Sequence, residues 1–556
     1  MRIQMRRRDT AAIAVLTLML TGMFGRSLAD DAGWPQWLGP TRNAIAADGP
    51  KLLDSWPTNG PALVWRSEIL GAAGGDGFSS VIVSGGKVFI YLNSKPPSNN
   101  GVPDDFLKAW GWADGVPDEL AKKVEAARLS EKRTKIRGGV LHFRPIPQMF
   151  ASPELDAYIQ ESLAALDPKD VEQFGDFIRT RLNLGEGGFS GEAMTNLAAS
   201  RGKQIKSAAD FRALFGYVHG HSALNEVISG ESLTLFQCLD VMVCLDAATG
   251  KELWRKSLPG RASDGGYAGM DKNGVSSTPA VWADKVYFLG SAAMYCLSAK
   301  DGRLIWQTKT DFTDSSPLIL NGALYCINGM ALSAYNAETG RLLWRQYKTV
   351  QDPRFWGTSR SVAVWTHDGK SYLIGAGGAA LWCVEPERGE MVWSFKGKGE
   401  SLVQSTPIIS GDLAAVLSDH AAMYKLSPQK AELLWETHGG DRGGSALIYR
   451  DSVYFGGNHL PGIQCMDVKT GEIKWKAQHA ATESVTPVAA DGKIFFNTGE
   501  PGVIMFRATQ EKFDKLGEMA AGDQVTICTT PAIANGRMYL HERSRVSCYD
   551  LAGSAK

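Results

Sequence analysis

Leu245-Asp246-Ala247-Ala248-Thr249-Gly250-Lys251-Glu252-Leu253-Trp254 is one copy of a phrase that returns down most of the chain. Gly302 with Trp306, Gly340 with Trp344 and Gly389 with Trp393 repeat it. Ala431 with Trp435 follows, with Ala in place of Gly, and Gly471 with Trp475 ends the series. Successive tryptophans stand roughly 40–50 residues apart, the period of a propeller blade built from four short strands. The chain therefore reads as all-β, an eight-bladed β-propeller.

Blade two shows how a blade is written. Pro279 to Trp282 is strand A, Val286 to Gly290 strand B, Met294 to Ala299 strand C and Leu304 to Lys309 strand D, with turns at Asp284-Lys285, Ser291-Ala292 and Lys300-Asp301-Gly302. The glycine of the last turn supplies a positive φ, and Asp or Thr before it favours the bend. The tryptophan on the outer strand has a fixed place in the repeat, which points to packing between blades. Strand A begins near Ser79, Ser277, Ser316, Ser359, Ser405, Ser445, Val485 and Thr529, which gives eight blades. The seventh, through Phe506 to Met519, lacks the tryptophan. The eighth runs through Arg537–Leu540 and Val546–Asp550 and stops before an outer strand. Ala62-Leu63-Val64-Trp65-Arg66 is expected to supply that strand and close the ring, removing the sheet edges of an open array.

One connection breaks the pattern. After strand B of blade one (Lys87 to Leu92) roughly 140 residues pass before strand C resumes at Leu239, far more than an ordinary loop. Pro117-Asp118-Glu119 opens a helical stretch to Lys135, and Ser152-Pro153 opens another with Leu155, Tyr158, Ile159 and Leu163 on one face. Asp167-Pro168 begins a third with Val171, Phe174 and Ile178, and Ser207 a fourth with Phe211, Leu214, Phe215 and Val218. The expected organisation is residues 1–29 a signal peptide, 30–94 the N-terminal segment and start of blade one, 95–235 a helical cap, and 236–556 the rest of the propeller. B–C and D–A connections emerge on one face, so the cap belongs over that face, where loops commonly carry function.

Lys+Arg and Asp+Glu both number 59, so the formal charge is zero, which disfavours a nucleic-acid surface. Arg2, Arg6, Arg7 and Arg8 precede an apolar run from Ala11 to Phe24, with small residues at Ser27-Leu28-Ala29 before Asp30. This is the pattern of a cleavable export signal, too short to span a bilayer comfortably. The mature chain is expected to be periplasmic or otherwise exported, without a stable membrane span, and monomeric. Export raises the matter of the 8 cysteines. Cys244, Cys296, Cys383, Cys465 and Cys548 fall at one place in the repeat, too far apart in a ring for disulfides, and read as small buried residues.

The phrase around Gly250 and Trp254, with Ser277-Thr278-Pro279 opening the next blade, resembles the repeat of pyrroloquinoline-quinone (PQQ) dehydrogenases. It equally resembles the non-catalytic eight-bladed propeller of the outer-membrane barrel-assembly machinery. Trp34-Pro35-Gln36-Trp37-Leu38-Gly39-Pro40 is similar to the opening of exported bacterial PQQ-like propellers. The dehydrogenase resemblance implies a quinone held between a tryptophan and an adjacent-cysteine disulfide, a Ca²⁺ bound by carboxylate and amide oxygens, and an Asp base. No two cysteines are adjacent in this sequence, so one wall of that sandwich is missing.

Polar residues concentrate in the loops expected on the B–C/D–A face. Asp352, Arg354, Trp356 and Arg360 precede blade four, and His420 lies in blade five. His438, Asp441 and Arg442 precede blade six, whose own turn carries Asn458 and His459. His479 and Glu483 precede blade seven, and His541, Glu542 and Arg543 lie in blade eight; His219 and His221 fall on the cap. Such residues suit a metal or an acidic sugar, but none stands at a recognised ligand spacing. Trp356 beside Arg354 suits stacking on a sugar or contact with a partner. The leading expectation is an exported binding or scaffolding propeller without a cofactor, which meets a protein partner or a carbohydrate at this face. The alternatives are a PQQ- and Ca²⁺-dependent dehydrogenase of alcohols or sugars, and a metal-assisted carbohydrate lyase or hydrolase.

Overall fold

The computed structural model describes residues 33–70, 77–94, 102, 104–142, 148–150, 152–202, 238–260, 277–310, 315–328, 331–347, 361–377, 380–396, 405–418, 420–438, 444–457, 462–478, 485–499, 502–519, 529–542 and 545–553. Eight antiparallel four-stranded sheets form the blades. Blade one takes Ile82–Ser84, Lys87–Ser94, Cys238–Asp246 and Glu252–Gly260 as strands A to D. Blades two to seven use four consecutive strands each. Blade eight contributes Ala532–Ala534, Arg537–Glu542 and Arg545–Asp550, and its outer strand is Ala62–Arg66, paired with strand C.

The recurring phrase is the contact between blades. In the turn before strand D of blade one, Asp246 Oδ1 accepts from the amides of Ala248 and Thr249 and from the Thr249 hydroxyl; Asn336 and Asp467 repeat the arrangement in blades three and six. The chain then needs a left-handed residue, and Gly250, Gly302, Gly340, Gly389 and Gly471 all have φ between 70° and 72°. The same glycines lie against the tryptophan of the preceding blade. A methyl on Gly302 would stand 2.5 Å from Trp254, and one on Gly471 2.6 Å from Trp435. Each indole N–H donates to a carbonyl of the following blade, as Trp306 to Ala337 (2.9 Å) and Trp475 to Thr509 (2.8 Å). Trp65 of the closing strand does likewise to Ala247 (3.0 Å), so blade eight meets blade one as blades one to six meet their successors.

Blade seven shows how the missing tryptophan is replaced. In the other blades the tryptophan pairs with one fixed position of strand C, a cysteine in most (Cys296↔Trp306, Cys465↔Trp475) but Ala334 in blade three and Met423 in blade five; in blade seven the corresponding pair is Met505↔Gly517. Trp56, from the N-terminal segment, lies on Gly517, where a methyl would stand 2.6 Å from its Cβ. The Trp56 ring is 6.0 Å from Phe495 on strand B, matching Trp306–Tyr287 at 6.0 Å and Trp344–Tyr325 at 5.9 Å. The N-terminal segment thus supplies both an outer strand and an indole to blades that lack them.

The segment also crosses the centre of the ring. Trp34 bridges to Val83 of blade one, the Pro35 carbonyl accepts from Val281 of blade two, and Ile45 bridges to Ala489 of blade seven, all on innermost strands. Trp34, Leu38 and Ala44 are fully buried. Arg42 is buried with them, donating to the carbonyls of Pro317 (2.8 Å) and Ser316 (3.3 Å) of blade three. Burial pulls its guanidinium down to about 9, still charged at neutral pH.

Beyond this plug a belt of hydroxyls ties the starts of the inner strands together. Amide donors run from Thr530 to Ser80, Ser80 to Thr278, Thr278 to Ser316, Ser316 to Ser361 and Ser361 to Thr406, and Ser445 donates likewise to Thr486. These residues stand two positions before each inner strand, where the backbone has no ladder partner and would otherwise bury an unpaired amide, which explains the recurring Ser/Thr there. The five repeat-position cysteines are free and buried, as is Cys326.

Candidate functional site

Strands B and C of blade one end and begin on the same side as the starts of strand A, so the insertion leaves the propeller at its B–C/D–A face. The described part of the insertion holds α1 (Asp104–Ala109), α2 (Asp118–Arg128), α3 (Glu131–Thr134), α4 (Pro153–Ala164), α5 (Pro168–Leu184) and α6 (Gly191–Ala198), with a small hairpin of Gly139–His142 and Gln148–Phe150. Ser152 and Asp167 cap α4 and α5, accepting from the Leu155 and Lys169 amides. The single stretch read from Pro117 to Lys135 is two helices, interrupted where Ser130 caps α3. The helix expected from Ser207 lies outside the described residues.

Leu120, Val124, Leu155, Ile159, Phe174 and Ile178 form the core of the insertion. Three buried arginines complete it. Arg133 donates to the carbonyls of Leu182 (2.7 Å) and Asn183 (2.8 Å), Arg181 to those of Trp110 (3.2 Å) and Phe189 (2.6 Å), and Arg128 to Gly185. Glu125 receives both Arg128 and Arg181, each at 2.6 Å. Burial pushes its carboxyl up, but the hydrogen bond from Arg128 and the charges of Arg181 and Arg128 outweigh this and hold it below the ordinary range. The cap is a charge-knotted body set against the propeller rim, where the Tyr347 hydroxyl of blade three donates to Asp156 of α4.

Between this body and the propeller runs a cleft of about 650 Å³, within the size range of small-molecule sites. Its propeller wall is one face of blade two: Ala293 and Tyr295 of strand C, with their register partners Lys309 and Gln307 of strand D. Tyr295 is anchored by its hydroxyl to the Pro259 carbonyl at 3.0 Å. The helical wall comes from the kinked stretch of α5, where Phe174 leaves helical geometry (φ −121°), and from the turn after α1. There the Trp112 indole N–H donates to Asp114 (3.0 Å), and Arg201 bridges Asp104 (2.9 Å) and Asp114 (2.8 Å). Hydrogen bonds from Arg201 and Trp112 hold the Asp114 carboxyl below its ordinary value, despite some desolvation.

Asp240 fixes the propeller wall from behind. It is fully buried, and its Oδ1 accepts from Tyr91 (2.7 Å), Ser291 (2.7 Å) and Asn93 (3.1 Å) while Oδ2 accepts from the Ala292 amide (3.3 Å). Burial raises its pKa against the pull of the Tyr91 and Ser291 hydroxyls. Ser291-Ala292 is the B–C turn of blade two, so this carboxyl ties the first blade to the turn that borders the cleft.

Three of the histidine positions read from sequence are described, all at the B–C/D–A edge. His420 is half-buried at the start of strand C of blade five, and His438 at the end of strand D is its register partner. His541 is buried, with Nδ1 donating to the Ser79 carbonyl (2.9 Å) across the join of blades eight and one. Glu542 beside it is fully buried and accepts from Tyr549 (2.6 Å) and Ser547 (2.8 Å) with Arg66 at 3.2 Å. Asp352, Arg354, Trp356, Arg360, Asp441, Arg442, Asn458, His459, His479, Glu483, Arg543, His219 and His221 lie outside the described residues.

The cleft residues were not among the sequence candidates. The signal available was Trp110-Gly111-Trp112, two tryptophans on a helix end outside the repeat, of which Trp110 is fully buried and Trp112 is not. The quinone sandwich finds no match in what is described: Cys244, Cys296, Cys326, Cys383, Cys465 and Cys548 are buried within the sheets. Burial pushes the Cys244, Cys296, Cys383 and Cys548 thiols up to about 12. Among the described residues no three His, Cys, Asp or Glu side chains converge as metal ligands.

Known proteins place the repeat. The family described as outer membrane protein assembly factor BamB matches residues 240–378 and 355–556. Tetrathionate hydrolase of Acidithiobacillus ferrooxidans is 25% identical over 121 residues, a match that takes in 20% of this chain and 24% of that protein, about a quarter of its length. BamB of Moraxella catarrhalis superposes with a TM-score of 0.44 at 12% identity, over 58% of this chain and 93% of that one. The quinohemoprotein alcohol dehydrogenase of Pseudomonas putida HK5 gives 0.43 at 16%, over 58% and 73%. The two family matches together take in more than half of the 556 residues, and the chain belongs to the BamB-like family of PQQ-repeat propellers.

Proposed function

We propose that this chain is an exported binding and scaffolding propeller that engages its target through the B–C/D–A loop face and the helical insertion. The observation that carries the reading is the cleft between insertion and blade two: an insertion serving only to lengthen a loop would have no reason to enclose about 650 Å³ between tethered polar and aromatic side chains. Its wall is held rigidly, by the Asp240 knot on one side and the Glu125 charge cluster on the other, as preorganised recognition requires. The family membership supports a scaffold that presents loops to partners, and the neutral overall charge supports a target other than nucleic acid. Export rests on the N-terminal pattern; among the described residues no helix is long and apolar enough to cross a membrane.

The reading is tested by photocrosslinking in the exporting cell. A photoreactive residue at Phe177 in the insertion and another at His420 on the loop face should capture the same partner, and one at Asp368 on the opposite face should not. Capture from Asp368 alone would overturn it. Reconstitution with PQQ and Ca²⁺ that yields dye reduction with an alcohol or an aldose would also overturn it, in favour of an oxidoreductase.

A further inference from the structure

The chemistry of the cleft narrows what it can hold. Asp104, Asp114 and Asp176 face Lys108, Arg201 and Lys309, so its formal charge sums to zero and neither a polyanion nor a polycation is favoured. Arg201 is engaged by both Asp104 and Asp114, which fixes two carboxylates with acceptor capacity left over. Asp114 is held ionised by the same contacts. Gln307 adds an amide that both donates and accepts. Trp112 has its single N–H occupied by Asp114, so what it retains for a ligand is apolar ring surface, and Phe177 on α5 adds a second ring.

Aromatic surface beside fixed carboxylates and amides, at zero net charge, matches a polyhydroxylated ring: its C–H face covers an indole while its hydroxyls donate to carboxylates and exchange bonds with an amide. An extended peptide is a poorer fit. Peptide strands bind along an unpaired sheet edge or insert alternate side chains into apolar pockets. Here the propeller wall is a sheet face and not the outer edge of the blade: it is made by the side chains of Ala293 and Tyr295 of strand C, which is paired on both sides, and of their same-face register partners Lys309 and Gln307 on the outer strand D. We propose that the cleft binds a neutral oligosaccharide, with sugar rings on Trp112 and Phe177 and hydroxyls on Asp114, Asp176 and Gln307. This rests on the reading of the insertion as a recognition element and gives that element a ligand class.

The test is calorimetric titration of the full exported protein with four neutral hexasaccharides (cellohexaose, xylohexaose, maltohexaose and N-acetylchitohexaose) and with a galacturonate oligomer as the charged counterpart. At least one neutral hexasaccharide should bind with a Kd of about 1 mM or tighter. Trp112→Ala should weaken it about tenfold or more and Trp112→Phe much less, with Gln307→Ala as an independent loss on the other wall. Thermal melts of the variants guard against unfolding; Gln307 lies on the outer strand of blade two, so Gln307→Ala is expected to fold if Trp112→Ala does not. No binding by any neutral hexasaccharide, tighter binding of the galacturonate, or binding indifferent to both Trp112→Ala and Gln307→Ala would each overturn the proposal. If none binds while Phe177 and His420 still crosslink to one partner, the oligosaccharide assignment alone falls; if both experiments fail, the recognition role of the insertion falls with it.

Discussion

Gly471 stands at φ +70°, and a methyl there would lie 2.6 Å from the Trp435 ring of the preceding blade; Gly369 stands at φ +76° with nothing within 4 Å. The two positions separate the conformational requirement for glycine from the packing requirement. Gly369→Ala meets only the left-handed backbone, a cost of about 1–2 kcal/mol. Gly471→Ala meets the same backbone and a filled space, and overpacking adds about 1–3 kcal/mol. Denaturation midpoints of the two variants should differ accordingly, and equal losses would mean that the indole moves aside at no cost. Blade five is informative here, because Ala431 at the glycine position lies within strand D and is paired with Leu426. The turn has been rebuilt to do without a left-handed residue, while Trp393 still finds a carbonyl, that of Ser427, at 3.0 Å. Substitution of the glycine is tolerated only where the whole turn changes.

Individual elements show what the sequence made legible and what it hid. The eight blades and the closing strand could be read because the repeat fixes which residue must be glycine and which must be tryptophan, so a blade without an outer strand announced its need. Trp56 was not legible: it belongs to no strand of its blade, and only the geometry shows it at the place vacated by Gly517. Trp56→Ala should cost about 3–5 kcal/mol, the range for a buried tryptophan, although it belongs to no sheet. A melting temperature within a degree or two of the parent would contradict the assignment. The cleft was hidden for a different reason, since the insertion carries no period and its buried arginines resemble surface charge in sequence. Glu125 makes that charge measurable. Its folded pKa is lowered, so the unfolded chain binds more protons in the acid range, and the stability it provides is complete above the ordinary carboxylate value and lost as pH falls through the folded one. Amide exchange in α2 and α5 should accelerate relative to the propeller strands as the pH falls through and below the ordinary carboxylate range, and Glu125→Gln should flatten that dependence. A wild-type profile no steeper than that of the variant would show that Arg128 and Arg181 do not hold the carboxylate.

At the scale of the whole molecule, the residues before blade one act as the fastening of the ring. Trp34 to Ile45 lie along the innermost strands, Trp56 fills blade seven, and Ala62–Arg66 is the outer strand of blade eight. Blades three and eight show how such a strand is secured. Arg345 donates to Ser333 (3.2 Å) and Tyr335 (3.5 Å) around Asn328, and Arg66 donates to Ser547 (3.0 Å) and Tyr549 (3.5 Å) around Glu542. The difference is the charge: where the outer strand arrives from the far end of the chain, Asn gives way to Glu and an Arg66–Glu542 ion pair is added at 3.2 Å. Arg66 is about a third exposed, so Glu542→Gln should cost only about 1–2 kcal/mol, by loosening the strand without opening the ring. Removing residues 30–66 is a different intervention. It takes away the strand, the Trp56 and Trp65 indoles and the plug at once, and leaves strand C of blade eight as an unpaired outer edge and the centre of the ring unfilled. Such an edge invites pairing between chains. The truncated protein should melt well below the parent, with a broader transition, and should associate in a concentration-dependent way in sedimentation. An unchanged, sharp, monomeric transition would show that the ring closes without its N-terminal strand. The expected order is Glu542→Gln mildest, Trp56→Ala intermediate and the truncation most severe, because each removes a larger share of one continuous fastening.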